Sequence, residues 1–197
     1  MGTMNKSDVL GILQEHGALV AGHFQMPSGL HSPTYVQTAM VLQYPHVAHR
    51  IAKALAAKFP QDCDVIVALG TSSIILGQEL ARVKKCRAIF AEQSGGALAL
   101  RRDFEIKRGE RALLVQDVLA SGRLVTEMTA LARSRGARPL GVGALVDRSV
   151  STLCFDLPVR ALVSYPLEAI APESCPQCAA GEPLAKARGA GAPQEGE

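Results

Sequence analysis

One segment, residues 113–123, narrows the possible folds of this chain more than any other. Three apolar residues are followed by Gln116 and Asp117, two further apolar residues, a short loop containing Ser121 and Gly122, and a helical pattern. A buried strand that passes through an acid and a glycine-containing loop into a helix is the layout of a phosphate-binding turn in a parallel sheet. The segment therefore predicts an α/β fold, although taken alone many such turns only connect two elements.

Strands and helices alternate along the rest of the chain. The apolar periodicity predicts strands at residues 64–69, 87–91, 112–115, 140–146 and 159–163. It predicts helices at residues 7–16, 45–59, 72–84 and 124–135, with Ser7 as the cap of the first and Gly17 at its end. A strand, a turn and a second strand are expected within residues 22–37, and a mobile loop or hairpin within residues 93–108. This alternation indicates a parallel sheet covered by helices on both faces.

Size and charge limit the classes of function. The chain has 197 residues, of which 48% are hydrophobic, enough for one domain with a full core. We expect a single domain at residues 1–184 and a disordered tail at residues 185–197, which are rich in Ala, Gly, Pro and charge. The formal net charge of +3 suits a small anionic substrate. No basic stripe with interleaved aromatics is present, so nucleic acid is not an expected partner.

The first twenty residues and the cysteines together predict the cellular compartment. Asp8, Glu15 and His16 interrupt the first twenty residues, which is unlike a signal peptide. The longest apolar run is too short to span a membrane, so no membrane partner is expected. Five cysteines without a secretory signal predict a reducing cytoplasm.

The cysteines form one short motif, Cys175 and Cys178 in a CxxC spacing. A zinc site needs four ligands, and no second pair lies nearby in sequence, so no metal ligands are predicted within the chain. A zinc ion shared by two CxxC pairs across a dimer is left open. His23 and His31 are expected to be turn and packing residues, and the remaining cysteines are expected in the core.

Several segments together resemble the orotate phosphoribosyltransferase family. The amino-terminal signature is carried by residues 22–24, 28–32 and 35–37. Further motifs are residues 90–92, 100–102 and Phe104, the strand-end 146–148, and the carboxyl-terminal 175–178 with Gly181 and 183–184. With the loop at residues 113–124, the resemblance covers residues 7–184.

The resemblance implies a type I phosphoribosyltransferase fold, with a parallel sheet flanked by helices and a small hood from residues 1–40 and 165–184. The implied activity is the transfer of phosphoribosyl from phosphoribosyl pyrophosphate (PRPP) to orotate, which gives orotidine 5′-monophosphate and pyrophosphate in pyrimidine biosynthesis. Mg²⁺ bound mainly through PRPP is the implied cofactor, and a homodimer is the implied assembly.

The resemblance also assigns site residues. PRPP-binding residues are Gln116, Asp117, Ala120, Ser121, Gly122, Arg123 and Leu124, together with Thr71, Ser72 and Ser73 at the expected pyrophosphate loop. Catalytic residues are Asp117, Arg101 and Arg102, and orotate-binding residues are Phe24 and Arg148. Arg148 suits a carboxylate because its guanidinium can bond to both oxygens, although a structural pair with Asp147 is an alternative. Asp147 is expected to support a loop.

The PRPP side departs from the family's usual pattern at several positions. Gln116 stands where the family has an acid, and Leu124 stands where it has a hydroxyl. Arg123 adds a charge whose Cβ could conflict with a glycine-only backbone angle. Gln93 replaces a charged residue of the mobile loop. These departures leave a second function open: a catalytically silent paralogue that binds a nucleotide or pyrimidine as a regulator or partner subunit.

Overall fold

The computed structural model describes residues 4–26, 28–94, 96–150, 155–167 and 169–186. The strands are β1 (Leu19–Gln25), β2 (His31–Val36), β3 (Val65–Leu69), β4 (Arg87–Ser94), β5 (Ala97–Leu100), β6 (Arg111–Leu119), β7 (Arg138–Asp147), β8 (Val159–Ser164) and β9 (Ala185–Lys186). The helices are α1 (Lys6–Glu15), α2 (Ala39–Leu42), α3 (Pro45–Ala57), α4 (Thr71–Lys84), α5 (Arg123–Ser134) and α6 (Pro176–Ala179), with a 3₁₀ turn at Pro172–Ser174.

Six strands form the main sheet in the order β5-β4-β3-β6-β7-β8. All neighbouring pairs are parallel except β4 and β5, which form an antiparallel hairpin at the edge. The prediction of a parallel sheet is therefore confirmed, and the expected loop or hairpin near residues 93–108 includes the β4–β5 hairpin. Because β6 pairs with β7 as far as Leu119, Gln116 and Asp117 lie within the strand rather than after it.

Helices cover both faces of this sheet, as the alternation predicts. On one face α1, α3 and α4 share a core with alternate β6 residues such as Leu113 and Val115. On the other face α5 packs over Leu114 and its neighbours. The two clusters follow from strand geometry, since successive side chains of β6 point to opposite faces.

A second, smaller sheet is built from both ends of the described chain. Its order is β2-β1-β9, with β1 and β2 antiparallel and β9 parallel to β1. An isolated bridge between His31 and Ile170 adds a further contact to the carboxyl-terminal segment. The predicted tail at residues 185–197 begins too early, because residues 185–186 pair with Phe24 and Gln25. Residues 187–197 lie outside the described part of the chain.

Two local predictions need correction. The first helix is capped by Asn5 rather than Ser7: the Asn5 side chain accepts from the Asp8 backbone, and the Asp8 carboxylate accepts from the Asn5 backbone. Ser7 lies in the first turn instead. Cys63 lies in the core as predicted, but Cys86 is only partly buried; their sulfurs are 3.4 Å apart, and Cys154 lies outside the described residues. Within the described residues, no helix is long and apolar enough to cross a membrane.

Candidate active site at the carboxyl ends of the strands

Three neighbouring strands bring their carboxyl ends to one edge of the main sheet. Asp117 lies near the end of β6, Ser73 lies in the first turn of α4 after β3, and Arg148 follows β7 directly. Since β3, β6 and β7 are adjacent and parallel, these three positions face the same crevice. Ligands of α/β proteins bind in such crevices.

Two buried hydroxyls hold the Asp117 carboxylate. Ser73 donates to Oδ1 at 2.8 Å and also accepts from the Asp117 backbone N–H at 2.8 Å. Thr38 donates to Oδ2. Ser73 and Thr38 are 0% and 1% exposed, whereas Asp117 remains partly exposed. Hydrogen bonds to both oxygens fix the carboxylate in one orientation, so Ser73 in this structure positions Asp117.

Gln116 occupies a different environment from its neighbour. Alternation along β6 places its side chain on the face covered by α5, opposite to Asp117. The side chain is buried. The amide therefore lies on the opposite face of the sheet from the Asp117 carboxylate and does not form an acid pair with it.

The loop after β6 has the geometry of an anion site. Gly122 has φ +77°, a left-handed conformation that glycine adopts at no steric cost, and it caps the twelve-residue helix α5. The first backbone N–H groups of α5 have no partner within the helix and attract negative charge. Arg123 is the first residue of α5, so its backbone angles are helical and its Cβ does not conflict with the loop. Its side chain instead pairs with Glu127 at 2.6 Å.

One cavity of about 690 Å³ joins this loop to the hood. Its lining residues come from four places: the β1–β2 turn, the loop that opens α5, the segment after β7 and the segment after β8. They are Met26, Ser28, Leu30, Ala120, Ser121, Arg123, Leu124, Arg148, Ser149, Val150, Leu167 and Ala169. The cavity therefore brings together Arg148 and most of the predicted phosphate loop.

Arg148 presents a half-buried positive charge to this cavity. Its guanidinium contacts the sulfur of Met26 at 3.8 Å, and it has no carboxylate ion pair within the described residues. Burial lowers the pKa of Arg148, and Tyr35 partly opposes that effect. The pKa of Tyr35 is itself raised, first by burial and then by Asp117, with Arg148 acting in the opposite direction. Asp117, Tyr35 and Arg148 thus act on one another electrostatically.

Asp147 supports the loop beside Arg148, as predicted. Its Oδ1 accepts from the backbone N–H and the hydroxyl of Ser149, at 2.9 and 2.6 Å. The alternative of an Asp147–Arg148 pair is not what the structure shows. The Arg148 backbone N–H donates to the carbonyl of Leu119, which ties the segment to the end of β6.

Some predicted site residues do not line the cavity. Phe24 is buried against Tyr35, with ring centroids 5.7 Å apart, and the adjoining turn lines the cavity with Met26 and Leu30 instead. The contact of Phe24 with a pyrimidine ring stays a prediction. Thr71 and Ser72 open α4, with Thr71 exposed.

Arg101 and Arg102 also lie away from the cavity. They follow β5 at the sheet edge, where both are exposed. Arg102 pairs with Glu92 at 3.0 Å and lies 5.8 Å from the centre of the Phe90 ring.

Several site residues were not assigned from the sequence. Thr38 has no motif of its own and is identified only by its contact with Asp117. Tyr35 belongs to the amino-terminal signature, which was the available signal. Met26 and Leu30 reach the cavity because the β1–β2 turn folds over it.

The expectation of no metal ligands within the chain rested on the lack of a second ligand pair close in sequence. The sequence offers no second ligand pair near Cys175 and Cys178, but the fold supplies one from β1 and β2. The ligand atoms of His23, His31, Cys175 and Cys178 all lie within 4.8 Å of one another. The two histidines are therefore more than turn residues.

Solved structures share this architecture. The UMP synthase of Leishmania donovani aligns with a TM-score of 0.69 at 21% identity, covering 80% of this chain and 36% of that one. The chain thus spans about a third of that protein. An orotate phosphoribosyltransferase from Aeropyrum pernix aligns with a TM-score of 0.64 at 17% identity, covering 79% and 93% of the two chains. The chain therefore has the fold of the type I phosphoribosyltransferases.

Sequence relatives narrow this class. No protein-family model matches the chain. A protein named orotate phosphoribosyltransferase from a Thermoanaerobacter species is 41% identical over 184 residues, covering 93% of this chain and 97% of the relative. One from Caldanaerobacter subterraneus is 40% identical over the same shares. The chain belongs to the orotate phosphoribosyltransferase family.

Proposed function

We propose that this protein transfers the phosphoribosyl group of PRPP to orotate. The bond between ribose C1 and the pyrophosphate oxygen breaks, pyrophosphate keeps the electron pair, and a ring nitrogen of orotate forms the new bond to C1 as its proton passes to pyrophosphate or water. The observation that carries the proposal is the single cavity lined by the α5 loop and by Arg148. It offers an anion site for a sugar phosphate and a half-buried cation for the carboxylate of orotate.

The remaining roles follow from where the residues lie. The backbone of residues 120–122 and the Ser121 hydroxyl bind the 5′-phosphate. Asp117, held by its two hydroxyl donors, accepts from ribose hydroxyls and stabilises positive charge that develops at the sugar. Thr71 and Ser72 bind pyrophosphate at the start of α4.

Arg101 and Arg102 neutralise pyrophosphate from the β4–β5 edge, within the same subunit or across a homodimer. Because they lie outside the cavity of their own chain, a homodimer in which the hairpin reaches a neighbouring site suits their position. A cytoplasmic location agrees with these charged, phosphorylated substrates. The names of the relatives favour the enzyme over the silent paralogue.

Mg²⁺ fits the oxygen ligands near Asp117. A carboxylate flanked by two hydroxyls offers hard oxygen atoms, and Mg²⁺ typically binds through one or two carboxylates, several waters and substrate phosphates. Asp117 would hold the ion through water, with PRPP supplying the phosphate oxygens. When bound, the ion neutralises charge on the leaving pyrophosphate.

The test is a spectrophotometric assay of orotate consumption with PRPP and Mg²⁺. We expect turnover of orotate but not of uracil, which lacks the carboxylate that Arg148 would bind. Arg148→Ala should raise KM for orotate by about 10- to 150-fold, the loss of a charged hydrogen bond worth ~1.5–3 kcal/mol. Arg133→Ala is the matched control, since Arg133 pairs with exposed Asp156 and does not line the cavity.

Two outcomes would overturn the proposal. Wild-type protein that consumes no orotate under these conditions is not this enzyme. Turnover of uracil equal to that of orotate, or an Arg148→Ala enzyme with unchanged KM, would remove Arg148 from orotate recognition.

A further inference from the structure

Four side chains capable of binding a metal converge within the hood. His23 lies in β1 and His31 opens β2, while Cys175 precedes α6 and Cys178 lies within it. His23 Nε2 is 3.0 Å from His31 Nδ1 and 3.4 Å from the Cys175 sulfur. The Cys178 sulfur is 3.2 Å from His31 Nδ1 and 3.6 Å from His23 Nε2.

These separations match the edges of a tetrahedral zinc site. With Zn–S about 2.3 Å and Zn–N about 2.0–2.1 Å, a regular tetrahedron has edges of about 3.3 Å between nitrogens, 3.6 Å between nitrogen and sulfur, and 3.8 Å between sulfurs. The four observed distances, from 3.0 to 3.6 Å, lie close to these values. No pair of ligand atoms is more than 4.8 Å apart, so small movements complete the tetrahedron.

Hydrogen bonding alone does not account for this arrangement. His23 Nδ1 lies 2.9 Å from the backbone carbonyl of Glu182, which can only accept, so Nδ1 carries the hydrogen and Nε2 has a lone pair. That one lone pair faces His31 and both sulfurs, yet it can accept only one hydrogen bond well. A cation would satisfy all four groups at once.

The surroundings have the other features of a zinc site. A histidine ligand whose second nitrogen donates to a carbonyl is the usual outer-sphere arrangement, and it orients the ring towards the metal. His23, His31 and Cys175 are each 4% exposed, so their polar atoms are desolvated, while the exposed Cys178 leaves an entry path. The CxxC spacing is one that zinc sites use.

We propose that His23, His31, Cys175 and Cys178 bind a structural zinc ion that joins the β1–β2 hairpin to the carboxyl-terminal segment. Four protein ligands leave no open position for a substrate, so the ion has a structural role. All four come from one chain, so the site needs no second subunit.

The site also bears on the active-site cavity. His23 and His31 lie on either side of the β1–β2 turn, and that turn contributes Met26, Ser28 and Leu30 to the cavity lining. A metal that fixes both strands of the hairpin fixes the position of the turn. Zinc therefore stabilises the wall that faces Arg148.

The experiment measures metal directly and does not depend on turnover. Protein purified under reducing conditions should contain one zinc per chain by elemental mass spectrometry. Replacing zinc with Co²⁺ should give the intense visible absorption of a tetrahedral site together with a thiolate-to-metal charge-transfer band. Both readouts use the wild-type chain, so they hold even if a ligand variant fails to fold.

Variants then assign the ligands. Cys178→Ser, at the exposed ligand, should weaken zinc binding by at least about 100-fold in a chelator competition, the upper end of the loss seen when an outer-sphere partner is removed. Cys63→Ser is the matched control, because Cys63 lies beside Cys86 and away from the hood, and it should bind one zinc per chain.

Other results would overturn the proposal. Wild-type protein that takes up no zinc or Co²⁺ when reduced has no such site. A Cys175–Cys178 disulfide that survives reducing purification, or equal zinc affinity in the Cys178→Ser and Cys63→Ser variants, would also refute it.

Discussion

The substitution Asp117→Asn removes the negative charge of this side chain and keeps its shape. The asparagine keeps one oxygen that can accept from Ser73, and its NH₂ group can donate to Thr38 once that hydroxyl turns. The fold should therefore lose little stability, roughly the ~0.5–1.5 kcal/mol of one ordinary hydrogen bond. The transition state, however, loses a full negative charge next to the sugar.

The kinetic effect can be worked out from the bond that is lost. A charge-assisted hydrogen bond is worth ~1.5–3 kcal/mol, and each ~1.36 kcal/mol is tenfold in rate, so kcat/KM should fall about 10- to 150-fold. Initial rates of orotate consumption at varied PRPP give this ratio, and thermal unfolding of the same sample gives stability. Full activity in a folded Asp117→Asn protein would refute the role of the carboxylate.

Ser73→Ala is the informative comparison. It keeps the charge but removes two hydrogen bonds of 2.8 Å, one to the carboxylate and one from the Asp117 backbone. We expect it to lower the free energy of unfolding by ~1–3 kcal/mol, because the backbone N–H of Asp117, near the carboxyl end of β6, loses its partner. Its kcat/KM should fall less than that of Asp117→Asn. The reverse order of the two variants would mean that orientation outweighs charge.

Three further predictions concern other parts of the chain. Leu124→Ser adds a hydroxyl to the cavity wall and should tighten PRPP binding about fivefold in calorimetry, from one hydrogen bond of ~1 kcal/mol, whereas Leu124→Ala should not. Hydrogen bonds from Arg111 lower the pKa of Asp64 to about 2, so this pair stabilises the fold above about pH 4 and its contribution disappears as the pH falls through about 2. The melting temperature of Asp64→Asn should therefore fall less than that of the wild type over this pH interval. The same dependence of melting temperature on pH in both proteins would contradict the assignment. Removal of zinc by a strong chelator should lower the melting temperature and raise KM for orotate, and added zinc should restore both values. A melting temperature that the chelator does not change would contradict the structural role.

Local patterns in the sequence predicted the main sheet well. Each strand and helix is recognised from the spacing of its own apolar residues, so the strands β3, β4, β6, β7 and β8 and their parallel direction followed from alternation, whereas their order in the sheet did not. The phosphate loop was found from its position after a recognisable strand, and Arg148 was assigned from the family resemblance.

Contacts between distant parts of the chain were missed. His23 and Cys175 are 152 positions apart, and Thr38 and Asp117 are 79 apart, so no local spacing connects them. The CxxC motif gave half of the metal ligands, but the histidines are identified only once β1, β2 and the carboxyl-terminal segment are in contact. The packing of Phe24 against Tyr35 likewise depends on the pairing of β1 with β2.

The pairing of β9 with β1 has a consequence for how the protein is made. A ribosome releases the amino-terminal hairpin long before residues 185–186 exist, and an isolated two-stranded hairpin is marginally stable in water. The main sheet can fold during translation, but the small sheet can close only after nearly the whole polypeptide has emerged. A product cut short by twenty residues would keep its central core but lack β9 and Cys178, and the hairpin that contributes to the cavity wall would lose those contacts.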